Sequence, residues 1–210
     1  MTFLDIIKSV FTIALVYSTL RISISILIAG MGEMITERSG VLNIGVEGVM
    51  LMGAWAAAIG SYFSGSAWIG LLSAVGVALV IGLIFSYIAI TLKASQAIAG
   101  LAITLLATGL SGYLLQIIFE HGGNTPRVPT LPNINLAFLN KIPVLGRIIN
   151  DQSVLMIFAL LLPILLYIIF YRTPWGTWLR AAGENPKALA VVGINPVTVR
   201  YIATLCGAIL

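Results

Sequence analysis

Few side chains in this sequence could carry out chemistry, and their types exclude most kinds of catalytic site. His121 is the only histidine and Cys206 the only cysteine among 210 residues. A histidine-based zinc site, a haem held by two histidines and an intramolecular disulfide are therefore excluded within one chain. A nucleophile activated by a neighbouring histidine cannot be assembled either, because His121 is expected in a loop, solvated or packed. We predict no metal site and no cofactor.

The carboxylates offer little more. Glu33, Glu37 and Glu47 fall near one another but have no acid–base partner set, so a carboxylate enzyme has weak support. The sequence has no GxxxxGK[ST] phosphate loop, and we expect that the chain does not hydrolyse nucleotide itself. An ion-coupled carrier needs ionisable groups inside the membrane, and only Arg21 and Glu47 could serve. The sequence favours a protein that is not an enzyme.

Composition predicts a membrane protein. Hydrophobic residues make up 60% of the chain and charged residues 9%, too apolar for a soluble domain of this length. The net charge of +4 is carried mainly in loops and argues against nucleic-acid binding. We predict an all-α, polytopic transmembrane bundle forming one domain over residues 1–210. The expected spans are Val10–Met31, 41–63, Trp68–Leu92, Gln96–Phe119 and Ser153–Tyr171, and a further span that begins at Ile202, so that the chain is expected to be incomplete at its C-terminus.

Two long connections are expected on opposite sides of the membrane. In the segment 172–200, Arg172, Arg180, Lys187 and Arg200 outnumber Glu184, which places it in the cytoplasm. The segment 120–152 is then extracytoplasmic, although Arg127, Lys141 and Arg147 weaken the charge asymmetry. The N-terminus lies outside if all five spans cross, and inside if one of them, such as 43–53, is re-entrant.

The segment 172–200 contains the signals of a short helix. Asn185 is a good N-cap, Pro186 a good first helical residue, and Gly193 can adopt the left-handed conformation that ends a helix. The predicted helix, Pro186–Val192, has Leu189 and Val192 three apart on one face. Because so short a helix is unstable alone, it is best explained as a surface presented to a partner. The alternative is a basic loop that only fixes topology.

A second set of polar residues could line a solute path. Asn43 and Glu47 are four apart on an expected helix, and Gln96, Thr104 and Thr108 form a small polar stripe on another. Such a stripe faces other helices or a water-filled path rather than lipid. The alternative is helix–helix packing, which is also the role that we predict for Gly45, Gly48 and Gly53.

Three stretches carry a family resemblance. The first is Arg180-Ala-Ala-Gly183-Glu-Asn-Pro186, followed by Ala188 and Gly193-Ile194. The second is Glu37-Arg-Ser-Gly40 with Asn43, Gly45, Glu47 and Gly48, and the third is Lys141-Ile-Pro143-Val-Leu145-Gly146. Together they resemble the permease subunits of bacterial ATP-binding cassette (ABC) importers, in the group for nucleosides and simple sugars, which is akin to the branched-chain amino-acid permeases.

The resemblance implies a multi-pass subunit in the bacterial cell membrane that works with a second permease subunit, two ABC ATPase subunits and an extracytoplasmic solute-binding lipoprotein. A nucleoside is the implied substrate, a simple sugar is next, and a branched-chain amino acid is the alternative substrate. The alternative from a different functional class is a secondary carrier. It also implies that the cytoplasmic helix couples to the ATPase. The residues expected to take part are Arg180, Gly183, Glu184, Asn185, Pro186, Ala188, Leu189, Val192 and Gly193.

Overall fold

A computed structural model describes residues 13–119, 127–134 and 152–210. His121 and the Lys141–Gly146 motif lie outside the described residues. The fold is helical, as predicted, and the strands within the described ranges are a single antiparallel pair of two residues each, β1 (Asn133–Ile134) and β2 (Gln152–Ser153).

The described helices follow the apolar runs of the sequence. They are α1 (Ile13–Arg38), α2 (Val46–Ser64), α3 (Ala67–Ser86), α4 (Gln96–Phe119), α5 (Val154–Arg172), α6 (Pro174–Glu184), α7 (Pro186–Val191) and α8 (Pro196–Ile209). Within the described ranges, five helical stretches are long and apolar enough to cross a membrane: those within α1, α2, α4 and α5, and α3 with its extension to Thr91. This count agrees with the five predicted spans.

One boundary differs from the sequence prediction. The predicted spans left residues 32–40 outside any helix, but α1 continues to Arg38 and only Ser39 and Gly40 form the turn, with a positive φ of 84° at Gly40. The short polar run was misread as a break, although it contains no helix breaker between Glu33 and Arg38. Pro163 lies inside α5, which continues through it to Arg172.

The end of α3 is wound more widely than an α-helix. A π-turn occupies Tyr87–Thr91, and the connection to α4 then passes through Lys93, the one described non-glycine residue with positive φ, at 53°. The Thr91 hydroxyl is hydrogen-bonded to the hydroxyl of Tyr201 in α8. The α3–α4 connection is therefore held to α8 near its start.

The chain divides into two compact units. One comprises Met1–Ile28 and Leu131–Ile164, and contains the β1–β2 pair. The other comprises Ala29–Thr130 and Leu165–Leu210, and contains both candidate sites. In the second unit, one apolar cluster joins the turn before α2 to α3 and α4 through Val41, Phe85, Ala89, Ile90 and Ala99. Another joins α2, α3 and α8 through Val49, Ala78 and Ala208.

Candidate functional site

The segment after α5 is mostly helical, and α6 was not predicted from the sequence. Thr173 is its N-cap, with Oγ1 accepting a hydrogen bond from the Gly176 N–H at 3.3 Å, and Pro174 follows at the first helical position. A β-carbon at Gly176 would collide with the Ile169 and Phe170 carbonyl oxygens, so only glycine lets α6 begin so close to α5. Thr173-Pro174 is the start signal that sequence reasoning missed.

Helix α6 is amphipathic and packs its apolar side inward. Leu179 and Ala182 are fully buried. Arg180, one of the predicted coupling residues, is half-buried. Its guanidinium lies 5.2 Å from the centre of the Tyr171 ring, and its Nε donates to the Gly176 carbonyl at 3.4 Å. These contacts hold Arg180 against the end of α5.

Asn185 is the single residue between α6 and α7. Its N–H donates to the Ala181 carbonyl at 2.9 Å and closes α6, while its Oδ1 accepts from the Ala188 N–H at 3.1 Å and caps α7. The predicted cap is therefore confirmed. At the other end Gly193 has a φ of 87°, as expected for a glycine that ends a helix.

The predicted face of α7 is wrong in one respect. We expected Leu189 and Val192 to lie together on one contact surface, but Leu189 is 4% exposed and Val192 76%. Leu189 points into the chain and anchors the helix. The exposed apolar face consists of Ala188, Val191 and Val192, with Val191 88% exposed. The three-residue spacing alone could not show which side of so short a helix faces inward.

Gly183 lies at a contact between two backbones. A β-carbon on Gly183 would be 2.5 Å from the Arg38 carbonyl oxygen and 3.1 Å from the Gly40 nitrogen. The end of α6 therefore touches the turn that follows α1. This contact brings together two of the motifs that carry the family resemblance. Glu184 is exposed beside this contact, and Pro186 is half-buried.

Two of the five candidate path residues instead hold the turn between α1 and α2. Asn43 is buried, and its Oδ1 accepts from the Gly45 N–H at 3.1 Å. Gln96, at the start of α4, accepts at Oε1 from the Leu42 N–H at 2.8 Å. Glu33 adds a third bond by accepting from the Asn43 N–H at 2.8 Å. These side chains satisfy backbone donors that have no helical partner.

Glycines bring α2 and α4 into backbone contact. A β-carbon on Gly100 would lie 2.6 Å from the Gly45 nitrogen, and one on Gly48 would lie 2.8 Å from the Thr104 Cα. The packing role predicted for Gly45 and Gly48 is confirmed. For Gly53 it stays a prediction, since no described residue of this chain lies within 4 Å of its β position.

The remaining candidate path residues are not gathered into one cluster. Thr104 is half-buried, and its hydroxyl donates to the Gly100 carbonyl at 3.2 Å; Thr108 is exposed, and its hydroxyl donates to the Thr104 carbonyl at 2.8 Å. Glu47 is exposed in the first turn of α2. Thr104 alone of these three lies at the α2–α4 contact, where it meets Gly48.

Comparisons with known proteins give a consistent picture. The chain is 32% identical to the guanosine ABC transporter permease protein NupQ of Bacillus subtilis over 91% of its own length and 62% of that protein's. It is 30% identical to the nucleoside ABC transporter permease protein NupC of Lactococcus lactis, over 93% and 62% of the two lengths. It is 29% identical to the putative glucose ABC transporter permease protein TsgC13 of Haloferax volcanii, over 94% and 60%.

The chain thus spans about three fifths of the length of these relatives. No solved structure matches it significantly. Residues 15–210 match the family described as the permease component of the branched-chain amino acid transport system. This match covers nearly the whole chain, including every candidate site residue, and the five apolar helices suit a multi-pass protein of the cell membrane. The chain belongs to this family of membrane permease components.

Proposed function

We propose that this chain is the transmembrane permease subunit of an ABC importer, which forms part of the path for a nucleoside or a simple sugar. In this proposal α7 is the coupling helix that docks on a separate ATPase subunit. The chain supplies no ATP hydrolysis of its own, and a second permease subunit and an extracytoplasmic solute-binding lipoprotein complete the transporter.

The exposed face of α7 is the observation that carries the proposal. Ala188, Val191 and Val192 form an apolar surface on a helix of 6 residues. A helix this short is unstable alone, but the buried side chain of Leu189 packs against the rest of the chain and Asn185 caps the first turn. An apolar face fixed in this way suits a groove on a partner, where a few buried side chains dominate the binding energy. Lys187 and Glu184 flank the face as polar rim residues.

The solute path is proposed along α4 and the start of α2. Thr104 and Thr108 supply hydroxyl oxygens that retain acceptor capacity after donating to their own helix. Glu47 adds a carboxylate near one end of α2. Asn43 and Gln96 support this region by fixing the turn that leads into α2. Weak contacts are sufficient here, because a permease must release what it admits.

The substrate class rests on the named relatives, two of which are described for guanosine or nucleosides and one for glucose. The family description favours a second candidate, a branched-chain amino acid. The two are distinguished by competition: unlabelled guanosine should block uptake of labelled nucleoside, whereas leucine should not. Competition by leucine and not by guanosine would favour the second candidate.

Uptake into vesicles tests the energy source. The full-length permease is reconstituted with its ATPase subunits and its solute-binding protein, and labelled nucleoside, glucose or leucine is supplied. We expect uptake with ATP and no ion gradient, and none with a gradient alone. Gradient-driven uptake without ATP would replace the proposal with a secondary carrier.

A further inference from the structure

Arg200, at the fifth position of α8, binds two other elements through backbone carbonyls. Its Nε donates to the Ser39 carbonyl oxygen at 3.1 Å, and its Nη2 donates to the Ala182 carbonyl oxygen at 2.8 Å. Ser39 follows the end of α1, and Ala182 lies in the last turn of α6. One half-buried guanidinium therefore joins the ends of three helices.

Both carbonyls lack the partner that a continuing helix would give them. The Ala182 carbonyl would accept from the N–H of residue 186, but Pro186 has none. The Ser39 carbonyl would accept from Asn43, whose N–H donates to Glu33 instead. Both groups lie at the negative ends of helix dipoles, where a cation is favoured. The proline that starts α7 thus also leaves open the carbonyl that Arg200 binds.

The contact leaves little room for independent movement. The Gly183 backbone touches Arg38 and Gly40, and a β-carbon on Gly40 would lie 3.3 Å from Arg200 Nη2. Asn185 alone separates α6 from α7. Gly32 of α1 and Gly207 of α8 also meet, with a β-carbon on Gly32 falling 2.5 Å from the Gly207 carbonyl oxygen. A displacement of α7 should consequently also displace the ends of α1 and α8.

We infer that Arg200 is a positioning residue that transmits movement of α7 to the α1–α2 turn and so to the candidate path. The inference rests on the proposed coupling role of α7. The same turn carries Asn43 and is bonded to Gln96, so the connection from α7 to the start of α4 is continuous in the structure. Arg200 is expected to touch neither solute nor ATPase.

The test measures solute imported per ATP hydrolysed by the complete transporter with Arg200→Gln, Arg200→Lys and the matched control Arg172→Gln. Arg172 is an exposed arginine at the end of α5, so its replacement removes the same charge. We expect Arg200→Gln to co-purify with the ATPase and hydrolyse ATP, with import per ATP falling about tenfold. Arg200→Lys should be intermediate, because an ammonium lacks the planar fork that holds two carbonyls.

The outcomes separate the two proposals. If the unmodified transporter shows no ATP-driven uptake, the proposed function fails. If uptake is ATP-driven and Arg200→Gln imports the normal amount per ATP, only the present inference is overturned. If Arg200→Gln does not insert, Arg200→Lys decides, and a normal ratio in that variant overturns the inference. Failure of both variants to insert would make Arg200 a folding residue and also overturn it.

Discussion

At the scale of single residues, glycine positions control how closely the helices approach. Gly100 and Gly109 lie on the same helix, α4, but in opposite environments. A β-carbon on Gly100 would collide with the Gly45 nitrogen at 2.6 Å, whereas no atom of the described part of the chain lies within 4 Å of that position on Gly109. Sequence alone marks both as small residues in a membrane helix and does not distinguish them.

Replacing these two glycines by alanine should therefore have opposite effects. Gly100→Ala forces α4 away from the turn before α2 and should cost about 1–3 kcal/mol of stability, as overpacking generally does. Gly109→Ala should be neutral or stabilise by up to about 1 kcal/mol, because alanine is the better helix former. The thermal midpoint of the purified protein in detergent measures both. Equal midpoints for the two variants would show that the α2–α4 contact is not tight.

At the scale of elements, the helix caps could be predicted and the inward face could not. Asn185-Pro186 and Asn195-Pro196 are local signals, and the structure places a helix start at each. The burial of Leu189 depends on how α7 settles against the chain, which no local pattern encodes. Gln96 shows the same limit. Its spacing with Thr104 and Thr108 predicted a solute path, but its side-chain Oε1 accepts a hydrogen bond from the Leu42 N–H, 54 positions away in sequence. Likewise, Arg200 was read as a loop charge, because its acceptors are backbone carbonyls distant in sequence.

The burial pattern changes which α7 variants test coupling. Val191 and Val192 are exposed, so Val191→Asp together with Val192→Asp should leave α7 folded and remove its apolar contact. We expect the variant to insert normally but to lose most of its ATP-driven uptake, since removing central apolar anchors costs about 2 kcal/mol or more in an interface. Thr198→Asp, which places an acid at an exposed position in the first turn of α8, is the control. Uptake by the double variant at the level of this control would contradict the docking role of the valines.

At the scale of the molecule, the compact unit that holds both sites gathers three connections at one end. The turn after α1 touches α6 at Gly183, the same turn is bonded to Gln96 at the start of α4, and the α3–α4 connection is bonded to Tyr201. The basic residues at this end are Arg38, Lys93, Arg172, Arg180, Lys187 and Arg200, and they outnumber the acidic Glu33, Glu37, Glu47 and Glu184. The α2–α3 turn differs, since residues 61–68 carry no charge. Among the described residues of this unit, six lysines and arginines lie at this end, and Arg127 follows α4 on the other side, so the charge asymmetry is clearer than in the whole sequence.

The asymmetry predicts the orientation in the membrane, because the side with more lysine and arginine faces the cytoplasm. Single cysteines at Ser95 and Ala190 should lie on that side, and one at Ser64 on the other; all three residues are exposed. In a protein whose only natural cysteine, Cys206, is replaced by serine, an impermeant maleimide should label Ser64→Cys in intact cells. Ser95→Cys and Ala190→Cys should react only after permeabilisation.

This experiment does not depend on whether the N-terminus lies inside or outside, since only α3 lies between Ser64 and Ser95, and the membrane-spanning helices between Ser95 and Ala190 are α4 and α5. Labelling of Ser64→Cys and Ser95→Cys from the same side would mean that α3 with its π-turn does not cross the membrane, despite its length of 25 residues and its apolar composition. Labelling of Ala190→Cys in intact cells would place α7 outside. A cytoplasmic ATPase could then not reach the exposed valines of α7, and both the predicted topology and the coupling proposal would be wrong.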